Sequence, residues 1–389
     1  MSNRRIWKSS RITDLQQSEI RRMTRECDRF DAINLGQGVC DLPTPESVLA
    51  AASHAVLKDK STYSKPEGAP ELRKAIAEKV RDYNGLKHAD PETDVVVTIG
   101  ATGAFNCAIH ALLEPGSEVL VFEPYYGYHV NSLMVGGFKP VFVTLEPPGW
   151  QLTWETIEAA VTPRTRAIVV NTPVNPSGKV MTGDELAIIA GICERYDLLA
   201  LTDEIYEYIL FDGHEHVSLA SLPGMWERTV TISGFSKTFS ITGWRLGYAI
   251  AHPEISERIT LVNDLMYVCA PTPLQHGVAD AMHGELDDSY YSEMAVDYLK
   301  KRDMFCDALA AAGLTPYRPS GAYYVLADIT RLGCADDRAA AMLLLEEVGV
   351  ASIPGSAFYA SDVGKTLVRF CFAKDWPTLE EACRRLRRL

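Results

Sequence analysis

The sequence predicts an α/β protein whose large domain carries a mostly parallel seven-stranded sheet sandwiched by helices. Two observations predict this fold. Short β-branched runs alternate with helical patterns through the middle of the chain, which is typical of a doubly wound sheet. The length of 389 residues also exceeds what one hydrophobic core normally fills, so a second, smaller domain is expected.

Seven short runs in the middle of the chain predict strands, because each is apolar and bounded by turn residues. They are residues 95–99, 118–122, 140–145, 166–171, 198–202, 229–232 and 247–251. Amphipathic patterns before and between these runs predict helices at residues 71–83, 104–113 and 183–196.

The C-terminal part begins with a long helical pattern over residues 290–312. Strand patterns at residues 323–327, 350–353 and 366–372 then alternate with helical patterns at residues 336–347 and 379–389. This mixture predicts a smaller α+β unit.

The charge balance limits the possible partners. With 38 basic and 51 acidic residues the formal net charge is −13, which disfavours nucleic acid and anionic membranes as partners. A small anionic substrate would therefore have to be attracted by local arginines.

Cysteine usage and the N-terminus indicate a cytoplasmic protein. The nine cysteines are scattered and never spaced as Cys-x-x-Cys, so we expect neither a metal site nor a disulfide framework. The N-terminus is polar and contains acidic residues, which argues against a secretory signal and a transit peptide. No apolar run is long enough to span a membrane.

Lys237 is the most informative residue, because it stands among small and hydroxyl residues directly after a predicted strand. Desolvation and the like charge of Arg245 would both favour its neutral amine, which attacks carbonyl groups. Arg245 could bind a phosphate through two hydrogen bonds from its planar guanidinium group. An aldehyde cofactor with a phosphate tail, pyridoxal 5′-phosphate (PLP), suits both residues. The alternative is an ordinary solvated lysine beside a helix arginine.

This stretch resembles the lysine signature of the class I/II aminotransferases, which belong to the PLP-dependent fold type I superfamily. The matching residues are Gly234-Phe235-Ser236-Lys237 and Gly243-Trp244-Arg245-Leu246-Gly247, and the resemblance extends from about Ile33 to Phe372. It implies that Lys237 holds PLP. It also implies a large PLP-binding domain of residues 46–288 and a small α+β domain formed by both chain ends, residues 1–45 and 289–389.

Asp203 ends a predicted strand, which is where α/β proteins place ligand contacts. A carboxylate there could pair with a protonated pyridine nitrogen, or it could simply cap a helix. The resemblance implies the first role. It also implies that Tyr206 and Asn175 contact the phenolic oxygen of PLP, with Asn175 near the substrate as well. Without the resemblance, Asn175 would be interpreted as part of a Pro- and Gly-containing turn.

The strand, small-residue turn and helix start around residue 100 predict an anion site, because helix N-termini present free N–H groups. We assign Ala101 and Thr102 to the cofactor phosphate, together with Arg245. Many relatives carry a serine three residues before the lysine, where this chain has Gly234. Either Ser233 or Ser236 could supply that hydroxyl, and we place Ser236 in the site.

Two tyrosines match aromatic positions of the family. The resemblance implies that Tyr126 stacks on the pyridine ring, although three tyrosines in four residues could equally be core or dimer surface. It implies that Tyr63 reaches the phosphate of the neighbouring subunit. The active enzyme is then a homodimer.

Arg369 lies within an apolar strand pattern, where a guanidinium facing inward needs an anionic partner. A substrate α-carboxylate is a suitable one. Strand alternation could instead point this side chain at solvent. The resemblance places the substrate-binding arginine here and adds a backbone contact from Gly38.

The ordered set of motifs predicts an aminotransferase that uses amino-acid and 2-oxo acid substrates. In the predicted reaction Lys237 acts as general base and acid, supported by Asp203 and Tyr206. The sequence has threonine at position 102, where aspartate-specific relatives often have lysine, and no clear second arginine for a distal carboxylate. Residues 123–126 and 136–143 are similar to the kynurenine/glutamine/methionine transaminase branch. We therefore expect neutral or aromatic amino donors.

Three alternatives remain. They are an aspartate-type transaminase, a PLP-dependent carbon–sulfur β-lyase on the same fold, and the effector domain of a transcription regulator. The last would carry a helix-turn-helix domain, for which the residues before Ile33 are too few.

Overall fold

The computed structural model describes residues 9–12, 15, 18–284, 286 and 289–389, and it confirms the predicted fold class. All seven predicted strands of the large sheet are present, each within two residues of its predicted ends. In chain order the strands are β1 (Ile33–Asn34), β2 (Val95–Ile99), β3 (Glu118–Glu123), β4 (Lys139–Thr144), β5 (Thr165–Asn171), β6 (Leu199–Asp203), β7 (Thr229–Gly234), β8 (Leu246–Ile250), β9 (Thr315–Tyr317), β10 (Tyr324–Asp328), β11 (Val350–Ala351), β12 (Ile353–Pro354) and β13 (Leu367–Cys371).

The seven-stranded sheet has the order β2-β8-β7-β6-β5-β3-β4. The strands β3 to β7 pair in parallel, whereas β8 runs antiparallel to both of its neighbours. The carboxyl ends of β5, β6 and β7 therefore meet at one edge. Because β8 is reversed, its start lies at that same edge, and the β7–β8 connection at residues 235–245 stays there.

The α-helices of the described residues pack on the strands of both parts, some on the large sheet and others on the smaller one. They are α1 (Glu19–Phe30), α2 (Glu46–Leu57), α3 (Pro70–Asp82), α4 (Gly100–Leu112), α5 (Gly127–Gly136), α6 (Trp154–Glu158), α7 (Gly183–Tyr196), α8 (Pro253–Tyr267), α9 (Thr272–Gly284), α10 (Ser289–Ala311), α11 (Asp337–Leu343) and α12 (Trp376–Leu386). Helix α7 begins at a capping box, in which the side chains of Thr182 and Glu185 bond each other's backbone N–H groups.

The large sheet is buried on both faces. Val95 and Val97 of β2 share a core cluster with Ile76 of α3, whereas the intervening Val96 packs with Phe105 of α4. Alternate side chains of a strand point to opposite faces, so helices cover both sides. Two-sided burial is why these strands form continuous apolar runs in the sequence.

The C-terminal part contains an antiparallel four-stranded sheet of order β12-β13-β10-β9. Close to it, β1 from the N-terminal segment pairs in parallel with β11. Both chain ends thus contribute to this smaller unit, as expected, while the exact domain bounds stay a prediction. Part of the predicted small domain, including residues 1–8, lies outside the described residues, as do residues 285, 287 and 288 of the predicted large domain.

The predicted helix at residues 336–347 is α11 followed by a π-helical turn at Leu344–Val348. Within the described ranges, none of the helices is both long and apolar enough to cross a membrane.

Candidate active site

A cavity of about 490 Å³ opens at the carboxyl edge of the large sheet, facing the N-terminal segment and the smaller sheet. Eleven of the twelve predicted site residues line it. They are Gly38, Ala101, Thr102, Tyr126, Asn175, Asp203, Tyr206, Ser236, Lys237, Arg245 and Arg369. The exception is Tyr63. The sheet topology explains the convergence, because β2, β5, β6 and β7 all end at this edge.

Lys237 lies in the β7–β8 connection and is partly buried. Its Nζ donates to the carbonyl oxygen of Gly38 at 3.3 Å. Burial lowers the pKa of Lys237 below its ordinary value, and Arg245 lowers it further, against opposing effects of Cys371 and Cys40. The lowered pKa increases the fraction of Lys237 in the neutral amine form, which is the nucleophilic form.

Asp203 ends β6 with its carboxylate in the cavity. Its Oδ2 lies 2.9 Å from Nε2 of His129, and its Oδ1 accepts from the backbone N–H of Ile205 at 3.3 Å. No helix follows Asp203 in this part of the structure, so the alternative role as a helix cap does not apply. The sequence analysis did not predict His129, because no residue near it in the sequence indicates its contact with Asp203.

Tyr206 and Tyr324 pair through their hydroxyl groups at 3.1 Å. Burial raises the pKa of Tyr206 well above its ordinary value, and the neighbouring Tyr324 raises it further. Tyr206 therefore keeps its proton and can donate a hydrogen bond into the cavity. The sequence analysis predicted Tyr206 but missed Tyr324.

The predicted anion site lies where α4 begins. No side chain caps this helix, so the N–H groups of its first turn are free for a ligand. A Cβ on Gly100, which has φ +66°, would lie 2.5 Å from Nη2 of Arg245. A Cβ on Gly247 would lie 2.4 Å from the backbone nitrogen of Ala101. Because neither glycine has a side chain, the Arg245 guanidinium and the start of α4 lie close together. Both can donate hydrogen bonds to an anion, so a phosphate would fit between them.

The structure separates the two candidate serines. Ser233 donates its hydroxyl to Oε1 of Glu207 at 2.8 Å and does not line the cavity. Ser236 lines the cavity. At Gly234 a Cβ would lie 2.8 Å from Cα of Gly247 in the adjacent strand. The family serine has no room here in this structure.

Arg369 is only 1% exposed, which excludes the alternative in which it faces solvent. Its Nη1 donates to Oδ1 of Asn175 at 2.9 Å and its Nη2 to the carbonyl oxygen of Gly36 at 2.5 Å. Rings of Tyr324 and Phe358 lie 4.3 Å and 4.7 Å from its guanidinium carbon. The Nε atom is buried without a hydrogen-bond partner. The guanidinium can therefore still bind an anion.

Gly38 lies against this arginine pocket, since a Cβ there would come within 1.9 Å of the Tyr324 hydroxyl oxygen. Only a residue without a side chain fits at this position of the cavity wall.

The two remaining tyrosines differ in position. Tyr126 lines the cavity, with its ring 5.3 Å from that of His129 in an edge-on arrangement. Tyr63 is 81% exposed and lies outside the cavity. A single chain therefore does not bring Tyr63 to the site.

Other cavity residues were not predicted as site residues. They include Ile20, Arg21, Gln37, Val39, Phe105, Tyr128, Ser132 and Thr242.

The chain matches one family model over nearly its whole length. The model described as aminotransferase class I and II matches residues 31–386. Kynurenine–oxoglutarate transaminase 1 of Homo sapiens is 35% identical over 390 residues, which cover 92% of each chain.

Solved structures agree with this match. N-succinyldiaminopimelate aminotransferase from Mycobacterium tuberculosis superposes with a TM-score of 0.94 and 38% identity, covering 98% of this chain and 99% of that one. Escherichia coli YbdL, described as having a methionine aminotransferase function, gives a TM-score of 0.94 and 33% identity, covering 99% of this chain and 100% of that one. These relatives are named for different substrates, so their similarity establishes the family without selecting a donor.

The crowding at Gly234 predicts that the variant Gly234→Ser is destabilised. The new side chain would overlap the backbone of β8, and overpacking of this kind costs about 1–3 kcal/mol in free energy of unfolding. Gly243→Ser is the control, because a Cβ at Gly243 meets no atom within 4 Å. Urea denaturation of both variants checks this; equal stability of Gly234→Ser and the unmodified protein would contradict the packing argument.

Proposed function

The chain belongs to the aminotransferase class I and II family, a transaminase family that uses PLP, and we propose that it transfers the amino group of a neutral or aromatic L-amino acid to a 2-oxo acid. One observation carries the proposal. One cavity contains a partly buried lysine, a carboxylate, a predicted anion site at a helix start, and a buried arginine with a nitrogen that has no hydrogen-bond partner.

The cavity fits PLP at three points. The helix start at Ala101 and Thr102 would hold the phosphate together with Arg245, in the space that Gly100 and Gly247 leave free. Lys237 would attach the aldehyde covalently. Bound PLP would supply an electron-withdrawing ring conjugated to the amino group being transferred.

Around that group, each residue would have a separate task. Asp203, fixed by His129, would keep the pyridine nitrogen protonated. Tyr206 and Asn175 would donate to the phenolic oxygen, Tyr126 would cover the ring face, and Ser236 would add a hydroxyl to the phosphate.

The substrate would be fixed by its α-carboxylate. Arg369 would bind this group because burial leaves its charge without an anionic partner among the described residues. The backbone at Gly38 would contact the same carboxylate. Once released, the Lys237 amine would remove the proton from the substrate Cα and, in the reverse half-reaction, donate a proton to the Cα of the new amino acid.

The choice of donor rests on the cavity wall. Ile20, Val39, Tyr126, Tyr128 and Tyr324 give the substrate region an apolar and aromatic lining. Such a lining favours neutral or aromatic side chains. The resemblance of residues 136–143 to the kynurenine/glutamine/methionine branch supports the same choice.

We also propose that the enzyme is a homodimer in which Tyr63 completes the neighbouring site. Tyr63 is exposed and outside its own cavity. Apolar side chains are exposed on α8 as well, among them Leu261 and Leu265, at 54% and 79%. Exposed apolar side chains of this size commonly mark an interface.

Lys237→Ala is expected to retain PLP by non-covalent contacts but to lose turnover by about 10³-fold or more, because it lacks the general base. Borohydride reduction followed by peptide mapping should label Lys237 in the unmodified protein. Lys139→Ala, at an exposed position outside the cavity, serves as control and should keep its activity. Normal transamination by Lys237→Ala would refute the assignment.

A donor panel tests the substrate class. With no acceptor present, phenylalanine, methionine and kynurenine should change the visible absorption of the holoenzyme at least about tenfold more efficiently than aspartate. A large preference for aspartate would reverse the proposal. Pyruvate and ammonia formed from a cysteine conjugate without any 2-oxo acid would instead establish β-lyase activity.

Subunit mixing tests the role of Tyr63. Tyr63→Phe alone should weaken PLP affinity about 10-fold or more, since a hydrogen bond to a charged group is lost. Hybrid dimers of Tyr63→Phe and Lys237→Ala subunits would contain one site with both native residues if Tyr63 acts across the interface. That site should bind PLP with native affinity. Weak affinity in the hybrid, or a monomer by sedimentation, would contradict the proposal.

A further inference from the structure

We propose that Arg21 binds the distal carboxylate of a dicarboxylic 2-oxo acid and so selects the amino acceptor. This inference rests on the transaminase function proposed above, and it concerns a residue without any sequence signal.

The charges of the cavity leave Arg21 without a partner. Four lysine or arginine residues line the cavity, Arg21, Lys237, Arg245 and Arg369, against one carboxylate, Asp203, which already contacts His129. A cofactor phosphate would take Arg245 and a substrate α-carboxylate would take Arg369. The charge of Arg21 then calls for one more anion, and a second carboxylate on the substrate supplies it.

Other arginines of α1 differ from Arg21. Arg22 pairs with Glu19 at 2.8 Å, and Arg29 pairs with Glu26 at 2.8 Å. Arg21 makes no hydrogen bond or ion pair to any residue that the structure describes, and it faces the cavity beside Ile20. The helix thus has acids available, yet none of them neutralises the one arginine at the cavity.

Helix α1 is held in place relative to Arg369 by a short chain of hydrogen bonds. Thr24, one turn after Arg21, accepts from Nδ2 of Asn34 at 3.4 Å. Oδ1 of Asn34 accepts from the backbone N–H of Gly36 at 3.0 Å, and the Gly36 carbonyl accepts from Arg369. The two arginines therefore belong to one connected wall of the cavity, whereas Arg245 lies at the phosphate end.

The different exposure of the two arginines suits a site that takes two substrates in turn. Arg369 is buried and needs an anion in both half-reactions, which every amino acid and 2-oxo acid provides. Arg21 is exposed, so leaving it hydrated beside a neutral or aromatic donor costs little. A dicarboxylic acceptor can then use Arg21 without excluding the donor.

The test compares two acceptors that differ in one carboxylate, 2-oxoglutarate and 2-oxopentanoate, with a fixed donor. Arg21→Gln should lower kcat/KM for 2-oxoglutarate by about 10- to 100-fold, the range for loss of a charged hydrogen-bonded pair. The value for 2-oxopentanoate should stay within about twofold. Arg21→Lys should recover part of the loss, because it keeps the charge but not the planar fork.

Arg22→Gln is the matched control, since Arg22 neighbours Arg21 on the same helix but does not line the cavity. It should leave both acceptors unchanged. A binding measurement adds a second readout: in calorimetry, Arg21→Gln holoenzyme should lose affinity for glutarate and not for pentanoate.

Equal losses for both acceptors, no loss for either, or the same selective loss in Arg22→Gln would overturn the role of Arg21. An unmodified protein that transfers no amino group to any acceptor would instead refute the proposed function.

Discussion

The buried charge of Arg369 is the constraint on which the site depends. A cation removed from water costs several kcal/mol unless neighbours compensate it. Here two distant segments compensate Arg369 of β13 in part: the turn after β5 supplies Asn175, and the segment after β1 supplies the Gly36 carbonyl. The large sheet, the smaller sheet and the N-terminal segment thus meet at one guanidinium. Its Nε has no hydrogen-bond partner among the described residues, which indicates a site for an anionic ligand.

Local patterns were enough to predict the sheet, whereas most of the predicted site residues came from the family resemblance. Two-sided burial made each strand a visible apolar run, and the site motifs stand at strand ends, where the parallel topology gathers them. His129, Tyr324 and Arg21 were missed for a shared reason. Their partners or surroundings lie far away in the chain, as with His129 and Asp203, and no residue beside them signals the contact. The sequence analysis placed Ser236 in the site without a local pattern that separates it from Ser233, because strand packing determines which of the two faces the cavity.

The chain is acidic overall, whereas four of the residues that line the cavity are lysine or arginine. A net charge of −13 would repel anionic substrates from most of the surface, so attraction must be local. The cavity separates its cations by position: Arg245 at the helix start, Arg369 in the smaller sheet and Arg21 at the exposed mouth. Arg21 and Arg245 are exposed and Arg369 is buried, so an entering anion would meet a hydrated cation before it reached the buried one. This order favours carboxylic acids whose reacting carbon lies close to the deeper carboxylate.

The reversed strand β8 has a consequence for how this protein can change. Because of its direction, residues 235–245 connect two neighbouring strands at one edge of the sheet, with Lys237 near the start of this connection and Arg245 at its end. Insertions or deletions in this connection would displace one group relative to the other, whatever residues were added. Length variation among natural or engineered versions should therefore collect in other surface loops, while this span keeps a constant number of residues.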